Sequence, residues 1–91
     1  MSADGIIEIL LSEHERKLIA KYGYPFEALE KQLKSLANVK EEKALSDDAF
    51  WWKQVLVNLD ISIQENESNE SLQNELICLF EEIAKILRTE G

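Results

Sequence analysis

Apolar residues recur along this chain mostly at helical intervals. Leu18, Ile19 and Tyr22 follow a start signal at Ser12. Ser12 and Glu15 stand three apart, the spacing of a capping box, in which each side chain satisfies the other residue's backbone N–H. Gly23 is expected to supply a left-handed stop. Pro25 suits the first position of a second helix, where its missing N–H costs nothing. Phe26, Leu29, Leu33 and Leu36 form a narrow stripe along that helix, with Glu27, Glu30, Lys31 and Lys34 on the other side. Glu27–Lys31 and Glu30–Lys34 are i,i+4 pairs in the favourable order.

A third helix is expected from Ser46. Ser46 is a good N-cap, Asp47 and Asp48 sit at the positive end of the helix dipole, and Leu45 and Phe50 are spaced as a hydrophobic staple. From Phe50 the pattern broadens to Trp51, Trp52, Val55, Leu56, Val57, Leu59, Ile61 and Ile63. A helix apolar on most sides is buried on most sides, so this one is expected at the centre, with Leu56 in its core. A polar linker follows. Leu72, Leu76, Leu79, Phe80, Ile83 and Leu87 then mark the stripe of a fourth helix. The pattern predicts helices over 12–22, 25–37, 46–65 and 70–88.

Two segments resist this reading. Residues 6–11 are apolar with one charge, and residues 39–45 read Val-Lys-Glu-Glu-Lys-Ala-Leu. Each precedes a Leu-Ser-acid helix start, which hints at two halves, each an extended piece followed by two helices. As strands the two would pair in a short ribbon, stable only if helices cover it. The alternative is an arm and a loop. The fold class that follows is mainly α: a compact four-helix domain over residues 1–91, with that two-stranded ribbon as its open question.

Composition narrows the functions. The chain has 91 residues, 45% of them apolar and 31% charged, and a net charge of −8. That describes one small, acidic, soluble domain. No apolar run is long enough to span a membrane. The first residues lack the basic stretch of a secretory signal, and a lone Cys78 forms no internal disulfide, so a cytoplasmic location is expected. Charge is uneven: residues 1–40 are neutral, while residues 60–91 carry net −6. Such a surface repels nucleic acid and anionic lipid and favours a basic protein partner.

Catalytic and cofactor chemistry finds little support. There is no Gly-rich phosphate loop, Cys-x-x-Cys or His-Glu-x-x-His. The single imidazole, His14, falls in a first helical turn among charged neighbours and is expected in water. Cys78, between Ile77 and Leu79, reads as a small buried hydrophobe. Glu41-Glu42 and Asp47-Asp48 lack the spacing and turn glycine of a calcium loop. An acyl-carrier reading fails at Glu70-Ser71-Leu72, which departs from Asp-Ser-Leu and leaves only 20 residues after the serine. A helix-turn-helix reading through Tyr22-Gly23-Tyr24-Pro25, with Arg16, Lys17, Lys21, Lys31 and Lys34, meets equal acid in the same stretch. No enzyme activity, metal or cofactor is expected.

The adjacent Trp51 and Trp52 are the most informative feature. Neighbours on a helix point about 100° apart, so the two rings face different surroundings. Either both rings lie in the core, or one of them serves as a partner-facing anchor, because tryptophan is enriched at binding hot spots. Trp51, with Asp47 and Asp48 beside it, is the candidate binding site. The expected function is noncatalytic protein binding, in the manner of a small immunity- or antitoxin-type inhibitor that masks a basic partner. The alternative is a self-associating helical protein whose surplus apolar surface forms a homodimer.

Overall fold

The computed structural model describes residues 6–90. In chain order it contains β1 (Ile6–Leu11), α1 (Glu13–Tyr22), α2 (Glu27–Ser35), β2 (Lys43–Asp48), α3 (Ala49–Glu65) and α4 (Glu70–Glu90). The ribbon therefore forms, and the order is strand–helix–helix twice over. The fold is mainly helical, with one two-stranded antiparallel sheet.

β1 forms because its residues alternate between two environments. Ile7, Ile9 and Leu11 are buried, whereas Ile6 and Leu10 lie more than half exposed on the opposite face. This period of two is the signature of a strand with one covered side. β2 pairs with it so that Ile9 lies opposite Leu45, and both are fully buried. The second strand starts four residues later than expected and runs on to Asp48. Two long-range contacts account for the shift. Gln32 of α2 accepts from the Ser46 N–H (2.9 Å) and donates to the Ser46 carbonyl (2.7 Å), covering the outer edge of β2. Arg16 of α1 holds the connection before it.

Arg16 is 4% exposed. Its guanidinium donates to the Leu11 carbonyl at 2.9 Å, to the Glu41 carbonyl at 3.0 Å and to the Val39 carbonyl. A buried cation is tolerated when its N–H groups are all aimed at acceptors. Arg16 thereby ties the end of β1 to residues 39–41 and is withdrawn from any surface that could meet nucleic acid.

The helix ends show which local signals held. α1 opens with the complete capping box of Ser12 and Glu15. It closes at Gly23, which has φ −93°, not the expected left-handed value. The left-handed residue is Tyr24, at φ 46°. Gly23 is needed for closeness instead: a Cβ there would stand 2.9 Å from the Ile19 carbonyl oxygen and 3.2 Å from Val55 Cγ1. Asn58 donates to the Gly23 carbonyl (3.1 Å) and Ser62 to the Tyr22 carbonyl (3.0 Å), locking this corner against α3. α2 begins at Glu27 with Phe26 in the cap position, so Pro25 lies just outside the helix. α3 begins three residues later than expected, because Ser46 belongs to the strand. Asp48 is its cap and accepts from the Phe50 N–H at 3.1 Å.

The core is one hydrophobic cluster drawn from every element. Trp52 is fully buried beneath the ribbon and donates its indole N–H to the Ile7 carbonyl at 3.0 Å. Val55, Leu59 and Ser62 continue the buried side of α3. The expectation that α3 is buried nearly all round is corrected: Phe50, Val57 and Ile61 are exposed, and Leu56 packs only at the margin. α4 contributes Leu76, Leu79, Ile83 and Leu87, as its stripe implied. Among the described residues, no helix is long and apolar enough to cross a membrane.

Candidate functional site

The ends of two connections bring the aromatic residues together. Phe26 ends the turn that leads into α2, and Phe50 and Trp51 occupy the first turn of α3. Trp52 points into the core, so its neighbour Trp51, rotated by about 100°, is left at the side of the helix. There its ring stacks on Phe26, with centroids 4.8 Å apart and planes 11° from parallel. Phe50 meets the same indole edge-on, at 4.8 Å and 80°. Both geometries suit the ring quadrupoles. Phe26 and Phe50 are each 55% exposed, and Trp51 is half-buried between them.

Carboxylates border this ladder. Asp47, the penultimate residue of β2, accepts the Asp48 N–H on one carboxylate oxygen at 2.7 Å, which fixes its orientation. Asp48 turns to cap α3. Glu27 stands in the first turn of α2. Phe26, Glu27, Ala28, Asp47 and Trp51 line a shallow hollow of about 120 Å³. Of the expected site residues, the structure brings Trp51 and Asp47 to one hollow, whereas Asp48 lies next to it with its carboxylate engaged by the helix. Phe26, Phe50 and Glu27 complete the surface. Spacing had assigned Phe26 to the buried stripe of α2 and Phe50 to a staple. The available signal was Pro25, which sets the chain's direction just before Phe26.

The other surface features carry less chemistry. A wider apolar hollow of about 460 Å³ lies between the end of α1 and α2, among residues that include Ala20, Tyr24, Leu33 and Ala37. A groove between α1 and α4 holds His14, Leu18, Glu75 and Cys78. His14 is exposed, as expected, and its Nε2 lies 3.1 Å from a Glu75 carboxylate oxygen. Cys78 is exposed, correcting its expected burial. It falls beside the Leu76–Leu79 stripe of α4 and outside it. Glu82 titrates above the usual carboxylate range, chiefly because a hydrogen bond to Glu15 favours its protonated form, with burial and repulsion from Glu15 and Glu42 adding to the effect. Among the described residues, no cluster of metal-ligating side chains occurs.

Comparison with protein-family models, curated proteins and solved structures finds no match to this chain.

Proposed function

We propose that this chain is a noncatalytic protein-interaction module that engages a basic partner through Phe26, Trp51 and Phe50 and the neighbouring acids Asp47, Asp48 and Glu27. The observation that carries the reading is the aromatic ladder: three rings ordered against one another at the surface instead of in the core. Aromatic side chains exposed in this way keep apolar area available for a partner. Their mutual stacking restricts the rings before binding, which lowers the entropy cost of docking. The net charge of −8 adds long-range attraction for a cationic surface. Masking of a basic enzyme, in the manner of an immunity- or antitoxin-type inhibitor, is the narrower form of this proposal. A reducing, cytoplasmic setting would keep the exposed Cys78 as a thiol.

The test is affinity capture from the source organism at low salt, run in parallel with the Trp51→Ala chain. A partner retained by the native chain, released by salt and lost from the folded variant supports the reading. Equal capture by both chains ends it. Homodimerisation is favoured by a different observation. Phe50, Val57 and Ile61 are exposed along the side of α3 opposite Trp52 and Leu59. A solution mass of twice 10.5 kDa, reduced to one chain by Val57→Lys with Ile61→Lys, would put that reading first.

A further inference from the structure

We propose that the outer edge of β1 is a docking site for an extended segment of another protein with the pattern apolar-x-basic-x-apolar, added to the ribbon as a third strand. This surface is separate from the aromatic ladder and goes beyond the reading given above. The hydrogen bonding of the ribbon locates it. The Gln32 side chain takes both the N–H and the carbonyl of Ser46, on the side of β2 that faces away from β1. Glu8 stands directly opposite Ser46. In an antiparallel ladder, two opposite residues either exchange both of their bonds or turn both sets of groups outward. Glu8 therefore aims its N–H and carbonyl away from β2, and the alternation along a strand gives Ile6 and Leu10 the same direction. The sheet has two strands, and among the described residues no group takes up the outward bonds of Glu8 or Leu10. The edge of β2 is thus covered by Gln32, while that of β1 is left as a template for strand addition.

The side chains state what the added strand must carry. Ile6, Glu8 and Leu10 share the exposed face of the ribbon, with Ile6 55% and Leu10 56% exposed. Beside them on β2 lie Asp48, Ser46 and Ala44. This face holds two acids and no base, because Lys43, opposite Leu11, belongs to the other face. The Ser46 hydroxyl lies 3.4 Å from a Glu8 carboxylate oxygen, which keeps that carboxylate over the ribbon. A strand added antiparallel sets one residue opposite Glu8 with two backbone hydrogen bonds, and sets the residues two positions to either side opposite Ile6 and Leu10. A base at the centre answers Glu8, and apolar residues flanking it cover Ile6 and Leu10. A second copy of this chain fits less well. Matching Ile6 of one β1 with Leu10 of another places Glu8 against Glu8, and like charges directly opposite are destabilising. Charge at the centre of the edge therefore selects a basic strand over self-association.

The test is an NMR titration of the full chain with the acetylated, amidated peptide Val-Thr-Lys-Thr-Val. The backbone amides of Glu8 and Leu10 should shift in a saturable way, and hydrogen exchange at Glu8 should slow. N-methylation of the peptide's lysine removes the N–H that donates to the Glu8 carbonyl and should abolish binding. N-methylation of the threonine after it, whose N–H points away from β1, should leave binding intact. The counterpart with glutamate in place of lysine should bind about two- to tenfold more weakly, and Glu8→Lys, at an exposed position, should reverse that order. Circular dichroism would check that the variant remains folded. Equal binding by the lysine-methylated peptide, no preference for lysine over glutamate, or shifts confined to Trp51 and Asp47 would overturn the proposal. A free chain with a solution mass of twice 10.5 kDa and a protected Glu8 amide would give the edge to a second copy and overturn it as well. Trp51→Ala should bind the peptide as the native chain does, so this proposal and the aromatic binding face stand or fall separately.

Discussion

Arg16 offers the sharpest test of how the two halves of the chain are joined. Replacing it with Met keeps the length of the stem and removes three charge-assisted hydrogen bonds, to the carbonyls of Leu11, Val39 and Glu41. The Leu11 contact is buried, so its carbonyl loses a donor that water replaces poorly, at a cost of about 1–3 kcal/mol. The other two contacts are only partly buried, and water would recover much of each, leaving about 0.5–1 kcal/mol apiece. Removing a desolvated charge returns some of this loss, so the net effect should be about 2–4 kcal/mol. In a chain of this size each kcal/mol lowers the melting temperature by about 4–8 °C, so a drop of roughly 10–25 °C is expected. Urea melts of Arg16→Met would give the free energy. Hydrogen exchange would locate it, with amides of β2 losing protection before those of α3 and α4. Arg16→Lys keeps the charge but not the fork and should recover at most half the loss. A destabilisation of Arg16→Met below about 1 kcal/mol, or exchange rates in β2 that do not change, would refute the role assigned to this side chain.

The twin tryptophans should separate cleanly. Trp52→Ala is expected to cost about 3–5 kcal/mol in urea melts, and Trp51→Ala about 1 kcal/mol or less, with an aqueous quencher reaching Trp51 alone. At the corner between α1 and α2, Gly23→Ala should destabilise by about 1–3 kcal/mol through crowding against Ile19 and Val55. Tyr24→Gly, which relieves a left-handed backbone costing about 1–2 kcal/mol but frees the unfolded chain, should be neutral or slightly stabilising by thermal melt. For α3, Asp48→Ala should cost about 0.5–2 kcal/mol, whereas Ser46→Ala, which keeps the backbone contacts to Gln32, should cost less; the reverse order in urea would return the cap to Ser46. Glu82 binds its proton more tightly in the folded chain than in the unfolded one, so its contribution to stability is present below pH 4.5 and is lost as pH rises through its raised value. Glu82→Gln should therefore match the native chain near pH 4 and exceed it at pH 7; a native chain that gains on the variant with rising pH would show the sign to be wrong.

Sequence by itself determined what depends on near neighbours. The Ser12–Glu15 capping box opens α1 because both partners lie within one turn. The long stripe of α4 was readable because its leucines and isoleucines repeat over many turns. Helical rotation between adjacent residues gave Trp51 and Trp52 different directions but left open whether both lie in the core; packing buried Trp52 and left Trp51 half-buried. Tertiary structure decided what depends on partners far along the chain. Ser46 and Asp48 are comparable caps locally; the pairing of Ile9 with Leu45 and the grip of Gln32 on Ser46 extended the strand and left the cap to Asp48. Gly23 looked like a conformational stop, and only the approach of Val55, 32 positions away, showed it to be a matter of space. Phe26 and Phe50 carry the same apolar signal as core residues. Hydrophobicity states that a side chain gains by leaving water, but not which surface covers it. Here each packs on Trp51 at the surface, while Leu29, Leu45 and Trp52 are fully buried in the core.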